Sequence, residues 1–147
     1  MKHIRNITRK DREVYISLAE QFYATDAVMA PIPRAHFERA FEEMLSSDTY
    51  ASAWLFEEDA TVCGYAQIAK TYSQEAGGRV IWIEELYLLP EHRGKGFGSM
   101  FFDFLEKEFP DTARFRLEVE DENEGAVRLY KRLGYERIPY QNMMKQK

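Results

Sequence analysis

The sequence contains one cysteine, three histidines and no long run of apolar residues. The single cysteine, Cys63, excludes a disulfide within the chain and is typical of a reducing cytoplasm, which is the location we expect. His3, His36 and His92 are scattered without the spacing of metal ligands, so we expect no metal site. Because neither a long apolar segment nor a signal-like N-terminus is present, the sequence predicts no membrane insertion or export.

Positive charge is also scarce, since 20 basic residues face 25 acidic ones and the net charge is −5. This balance argues against nucleic acid or an anionic membrane as a partner, because both require a basic surface. The chain nevertheless has 147 residues, 45% of them hydrophobic and 14% aromatic, which is enough for a packed core. We see no repeat or linker and therefore expect one domain over residues 1–147.

Hydrophobic periodicity predicts a chain that mixes strands and helices. Period-two patterns predict strands near 3–7, 49–58, 61–72, 80–88, 113–120 and 135–146, the last of which contains the unfavourable Pro139. Helical spacing and capping residues predict four helices, which begin after Asp11, near Pro33, at Phe97 and after Asp121 or Asn123. Hairpins followed by strand–helix–strand–helix–strand predict an α+β fold with a mixed sheet.

The most informative stretch is 80–109, in which two adjacent carboxylates, Glu84 and Glu85, interrupt an apolar strand. A carboxylate in a central strand is costly to bury without a partner, which favours a functional role. The alternative is a solvated strand end or pairing with basic neighbours. Adjacent strand residues face opposite sides of a sheet, and a bulge would exchange those faces.

The same stretch continues into the turn "RGKGFGS", residues 93–99, which opens a helix. Unpaired N–H groups and the positive dipole end of a helix favour an anion, and glycines allow close approach of a phosphate. Arg93 and Lys95 add positive charge, whereas the terminal Lys-Ser/Thr of a P-loop and the spacing of a dinucleotide fingerprint are absent. We therefore predict a pyrophosphate cradle, with a structural tight turn as the alternative.

Three further side chains have two interpretations each. Tyr130 lies on an apolar helix face, where packing with a hydrogen-bonded hydroxyl competes with a catalytic role. The proline-containing loop 24–33 is either a connector or the border of a cleft, and in the second case Tyr23 and Asp26 are candidate substrate contacts.

Two motifs resemble those of the GNAT N-acetyltransferase superfamily. The segment "RGKGFG" fits its R/Q-x-x-G-x-G/A signature through Arg93, Gly96 and Gly98, and "NEGAVRLYKRLGYE" is similar to its second motif. The resemblance implies a twisted, mostly antiparallel sheet of six to seven strands with a central, splayed parallel pair, flanked by four helices. It also implies an acetyltransferase that uses acetyl-CoA as co-substrate and commonly forms a homodimer.

The resemblance further implies which residues hold acetyl-CoA. The pyrophosphate contacts are Arg93, Gly94, Lys95, Gly96, Phe97, Gly98 and Ser99. The pantetheine contacts are Leu86, Tyr87, Leu88, Asn123 and Ala126, with Tyr130 beside the thioester sulfur.

The expected reaction is direct transfer of an acetyl group to the primary amine of a small cationic substrate in a ternary complex. We expect Tyr130 to act as general acid, Glu84 as base, and Glu85 as ammonium anchor or reserve base, with the two glutamates almost interchangeable. The segment 82–99 is similar to that of the diamine and thialysine acetyltransferases, which supports an amine substrate. The alternatives are acetylation of a protein or peptide amine, and a non-catalytic acyl-CoA-binding module.

Overall fold

The sheet is continuous, and each strand pairs with the strand that follows it in the chain. A computed structural model describes residues 1–147. The elements are β1 (Lys2–Asn6), α1 (Arg12–Tyr23), α2 (Arg34–Ser46), β2 (Ala51–Glu58), β3 (Thr61–Ser73), β4 (Gly78–Leu88), α3 (Phe97–Glu108), β5 (Thr112–Leu117) and α4 (Glu124–Arg132). No helix is both long enough and apolar enough to cross a bilayer.

Only β4 and β5 are parallel, and α3 makes the crossover between them. Their pairing ends where Ile83 lies opposite Leu117, although β4 continues to Leu88. The second half of β4 therefore has a partner strand on one side only, and a gap opens on the other. The prediction of a mixed α+β fold with four helices is confirmed. One pair of strands is parallel, but the expectation that this pair is central is wrong, because β5 is the edge strand of the sheet.

The prediction of six to seven strands is wrong, because the sheet has five. The predicted closing strand, 135–146, contains no regular structure, and all residues from 136 onward are exposed. Pro139 within it has a fixed φ and no N–H to donate to a ladder, and no apolar face of the segment is buried. The strand predicted at 113–120 also ends earlier, at Leu117.

The core lies on both faces of the sheet. On one face α1 and α2 cover the buried side chains of Tyr15, Phe41, Leu55, Tyr65 and Tyr87. On the other, α3 covers those of Trp54, Phe56, Ile81, Phe101 and Leu105. Because the central strands are covered on both faces, the Glu85 carboxylate of β4 lies in an environment where an ordinary carboxylate is destabilised, whereas Glu84 is exposed.

Gly64 in β3 provides a test of how closely β3 and β4 pack. A Cβ at this position would lie 2.4 Å from the Tyr87 carbonyl oxygen, which belongs to the backbone and cannot move aside without shifting the strand. We expect Gly64→Ala to lower the free energy of unfolding by about 1–3 kcal/mol in denaturant titrations. The control is Gly125→Ala, because a Cβ there meets nothing closer than 3.9 Å and we expect about 0.4–1 kcal/mol of stabilisation. Equal effects of the two substitutions would contradict the close approach.

The ion pair between Arg5 and Asp11 joins β1 to the start of α1 and provides a test of pH dependence. The Arg5 guanidinium donates to Asp11 at 2.8 Å, and this contact lowers the pKa of Asp11 to about 2. Since the pKa is lower in the folded state, the stabilisation is present above about pH 4 and is lost as the pH falls toward 2. We expect Asp11→Asn to remove about 2 kcal/mol at pH 7 and to flatten the acid limb of the unfolding midpoint. The exposed Asp103→Asn is the control, and an unchanged acid limb in Asp11→Asn would contradict this role.

Candidate active site

A bulge in β4 determines where the two adjacent carboxylates lie. Glu85 is opposite Gln67 and Ile83 is opposite Ile68, so Glu84 is an extra residue without a partner in β3. As a result, Ile83 and Leu86 both join the core beneath α3, although simple alternation would place them on opposite faces.

Glu85 points to the face covered by α1 and α2, where two tyrosines bind it. The Tyr65 hydroxyl donates to Oε1 at 2.6 Å, and the Tyr23 hydroxyl donates to Oε2 at 2.8 Å. Burial raises the pKa of Glu85, while the two hydrogen bonds act in the opposite direction. Both carboxylate oxygens and the Tyr23 hydroxyl are therefore already engaged within the protein.

Glu84 lies at the gap between β4 and β5 and makes no hydrogen bond or ion pair with the protein. It lines a recess, which we call the acid recess, together with Phe22, Ala27, Ile83, Leu86, Glu118, Val119, Glu120, Asn123 and Tyr130. Although one side of Glu84 is open to solvent, partial burial raises its pKa, and the negative charges of Glu85 and Glu118 raise it further. It is thus an unpaired carboxylate with a stronger affinity for a proton than an ordinary glutamate.

Tyr130 reaches the acid recess from α4. Its ring packs against Phe102 and Tyr135, with centroid separations of 5.7 and 6.1 Å, and burial raises the pKa of its hydroxyl. The hydroxyl makes no hydrogen bond to the protein, so it can donate to a bound molecule. Asn123 caps the helix by accepting from the Ala126 N–H at 3.4 Å.

The free edge of β4 supplies backbone groups along the gap. Leu88 is opposite Gly64, and the Leu89 N–H donates to the Cys63 carbonyl at 2.9 Å. This pattern marks Leu88 and Gly64 as a non-hydrogen-bonded pair, so the Leu88 N–H and C=O point away from β3 and into the gap. Arg93 donates to that carbonyl at 3.0 Å. An extended ligand can therefore pair with this edge as a strand would.

The glycine-rich turn ends the gap and begins α3. Gly94 and Gly96 have φ values of 72° and 88°, which a glycine adopts without strain. The N–H groups of the six consecutive residues 94–99 have no acceptor in the protein, and they surround the N-terminus of a 12-residue helix. The Lys95 side chain of this turn carries an ammonium that pairs with Glu58 at 2.9 Å. These donors and the helix dipole fit a phosphate group.

Comparison with known proteins assigns the family. A model of the acetyltransferase (GNAT) family matches residues 12–135. The chain belongs to this family. Thialysine N-epsilon-acetyltransferase from Sus scrofa is 38% identical over 79 residues, which are 52% of this chain and 46% of that protein. The chain thus matches about half the length of such curated GNAT relatives.

Solved structures share the fold of this GNAT chain. An aminoglycoside N-acetyltransferase in complex with CoA has a TM-score of 0.81 and 16% identity, over 100% of this chain and 95% of the other. A predicted acetyltransferase from Clostridium acetobutylicum with acetyl-CoA has a TM-score of 0.80 and 20% identity, over 99% and 96%. At sequence identities of 16% and 20%, the structural similarity shows only that the fold is shared.

The structure brings most of the candidate residues of this GNAT chain together, with three exceptions, of which the first is Glu85, bound to Tyr23 and Tyr65 outside the acid recess. Glu84, Asn123 and Tyr130 line the acid recess, and Arg93, the first residue of the turn 93–99, lines the adjoining cavity beside Leu88. Asp26 is exposed and lines neither the acid recess nor the adjoining gap, whereas Tyr23 contacts Glu85 rather than open space. Sequence reasoning missed Glu118 as a member of the site, because that residue was assigned to the interior of a longer β5.

Proposed function

We propose that this GNAT chain transfers an acetyl group from acetyl-CoA to the primary amine of a small cationic substrate, directly and in a ternary complex. The observation that carries the proposal is the acid recess, where the unpaired Glu84 carboxylate and the unbonded Tyr130 hydroxyl meet beside the free edge of β4. The names of the curated relatives support an amine acceptor, and the CoA complex of a structural neighbour supports the donor.

The turn and the free edge of β4 are suited to hold acetyl-CoA. The N–H groups of 94–99 would bind the pyrophosphate, with Arg93 and Lys95 adding charge. The backbone groups of Leu86 and Leu88 that point away from β3 would pair with the pantetheine arm, with Tyr87 between them, and Asn123 and Ala126 at the start of α4 would border it. The Leu88 N–H would polarise the thioester carbonyl as an oxyanion donor.

Glu84 is the proton acceptor in this proposal. An alkylammonium with a pKa near 10.4 must lose a proton before its nitrogen attacks, which costs roughly 4.6 kcal/mol at pH 7. Glu84 is unpaired and has a raised pKa, so it accepts that proton directly or through water. Glu85 instead holds the bulge through Tyr23 and Tyr65 and adds negative charge near the substrate ammonium.

Tyr130 is the proton donor. As the amine nitrogen bonds to the acetyl carbon, the carbon–sulfur bond breaks and the departing thiolate takes the tyrosine proton. A tyrosine hydroxyl is protonated at neutral pH, and burial raises the pKa of Tyr130 further, so the hydroxyl carries its proton until the departing thiolate accepts it. A module that only bound acyl-CoA would need neither Tyr130 nor Glu84.

We expect Tyr130→Phe to lower kcat by roughly tenfold to a thousandfold with little change in acetyl-CoA affinity, because only the proton donor is removed. The measurement is CoA thiol release, with affinity determined by calorimetry. Tyr135→Phe is the matched control, since that ring packs in the same aromatic cluster but does not line the acid recess. Unchanged kcat in Tyr130→Phe would remove the general-acid role.

The substitution Glu84→Gln removes the base while keeping the shape of the side chain. We expect kcat/KM at pH 7 to fall by roughly a hundredfold. In a plot of kcat/KM against pH, the rising limb should move toward the pKa of the free amine, about 10.4. In the wild type that limb should begin at lower pH, as the Glu84 carboxylate forms above its raised pKa. Glu120→Gln alters another glutamate of the recess and should keep the wild-type profile. An unshifted limb in Glu84→Gln would assign the proton to another group.

The cradle is tested with Gly96→Val. A branched side chain at this position would occupy the space of a bound phosphate, so we expect acetyl-CoA to stop raising the melting temperature. Gly77→Val is matched to it, because Gly77 has a similar φ of 80° in a turn outside the cradle. Both variants should lose stability, but only Gly96→Val should lose the response to acetyl-CoA. A normal response in Gly96→Val would contradict the cradle.

A further inference from the structure

Packing, and not hydrogen bonding, orients the Tyr130 side chain. Its hydroxyl makes no hydrogen bond to the protein, and the helix that carries it, α4, has no fully buried residue. The aromatic contacts of the Tyr130 ring are with Phe102 of α3 and with Tyr135, which lies just after α4. Because the Tyr135 ring itself packs on Phe102, both contacts depend on that one side chain.

Phe102 is itself fixed by the core. Only 5% of its surface is exposed, and its ring centroid lies 6.0 Å from that of Phe101, which is fully buried beneath α3. Its ring meets the Tyr130 ring edge to face, with an interplanar angle of 67°, and the Tyr135 ring in the same way, with an angle of 73°. This arrangement is a favoured geometry of aromatic pairs, so a fixed Phe102 ring restricts the tilt of its two partners.

The face of α3 that carries Phe102 is also the face on which α4 rests. Gly98 precedes Phe102 by four residues, so the two lie on the same side of the helix, one turn apart. A Cβ at Gly98 would lie 2.9 Å from Cδ2 of Leu129, the residue before Tyr130. The α4 helix therefore approaches α3 closely at Gly98, and Phe102 supports the next residue of α4.

The helix that supports Tyr130 also begins in the cradle. Residues 97–99 form its first turn, and their N–H groups have no acceptor in the protein. Phe102 follows Phe97 by five residues, which is about 7.5 Å along the helix axis. One rigid helix thus sets the distance between the phosphate site and the proton donor.

We propose that Phe102 is a positioning residue for acetyl transfer, which holds the Tyr130 hydroxyl beside the thioester sulfur of an acetyl-CoA whose pyrophosphate occupies the cradle. This inference rests on the proposed acetyltransferase function and adds a residue that lines neither the acid recess nor the adjoining cavity. Proton transfer requires donor and acceptor within hydrogen-bond reach, so a displacement of the hydroxyl by about 1 Å slows the reaction.

The test compares Phe102→Leu with Phe104→Leu, with 1,5-diaminopentane as the amine. Phe104 is on the same helix, but its ring contacts Trp54, at 5.5 Å, and not Tyr130. We expect Phe102→Leu to lower kcat by roughly tenfold to a hundredfold and to keep the calorimetric affinity for acetyl-CoA, because the cradle is intact. Phe104→Leu should keep kcat, although both variants should lower the melting temperature. A kcat that is unchanged in Phe102→Leu, or that falls equally in both variants, would overturn the inference.

A double-mutant cycle distinguishes positioning from a general loss of structure. If Phe102 acts through the Tyr130 hydroxyl, Phe102→Leu should have almost no effect on kcat in the Tyr130→Phe background, where that hydroxyl is absent. The same fold-loss in both backgrounds would give Phe102 a purely structural role and overturn the inference.

A titration that needs no activity separates this inference from the function on which it rests. With carbon-13 at the tyrosine ring carbon that bears the hydroxyl, the Tyr130 resonance is the one lost in Tyr130→Phe. Burial raises the pKa of Tyr130, and this pKa should move toward the ordinary value near 10 in Phe102→Leu but not in Phe104→Leu. If the wild type acetylates no amine, the transferase function fails, and the titration alone decides whether Phe102 places Tyr130. An unchanged pKa in Phe102→Leu would show that it does not.

Discussion

The extra residue at Glu84 is the constraint on which the site depends. Without it, strict alternation along β4 would separate Ile83 and Leu86 onto opposite faces and break the core beneath α3. With it, both faces keep their apolar side chains, Glu85 reaches its two tyrosines, and Glu84 is left at the gap without a partner. The bulge also coincides with the last residue of the parallel pairing, Ile83, so the change of register and the opening of the sheet occur together.

A folded protein normally provides each polar group with a hydrogen-bond partner, but several polar groups along the gap between β4 and β5 have none. These groups are the N–H groups of 94–99 and of Leu88 on the cradle side, and the Glu84 carboxylate and the Tyr130 hydroxyl in the acid recess. Unpaired polar groups near a core are destabilising, and such groups are rare away from functional sites. Their arrangement is therefore the structural basis for a ligand with a phosphate at one end and a reactive acyl group at the other.

Periodicity predicted the four helices and the first five strands, because each of these elements has one clear apolar pattern. The prediction of a closing strand was wrong. Alternating apolar residues in 135–146 suggested a strand, but Pro139 and the lack of a buried face prevent this segment from joining the sheet. The motif glycines and Tyr130 were visible as sequence signals. The sequence could not show which of Glu84 and Glu85 is unpaired at the gap, because that depends on how β4 is aligned with β3.

The central claim is direct acetyl transfer at the acid recess, and two-substrate kinetics tests it most directly. Initial rates of CoA thiol release should be measured while acetyl-CoA and a small cationic primary amine are both varied, with the acetylated amine confirmed by mass spectrometry. Direct transfer predicts intersecting reciprocal plots and thiol release that requires the amine. Parallel plots with an amine-independent burst of thiol, or thiol release without any acetylated amine, would contradict the account.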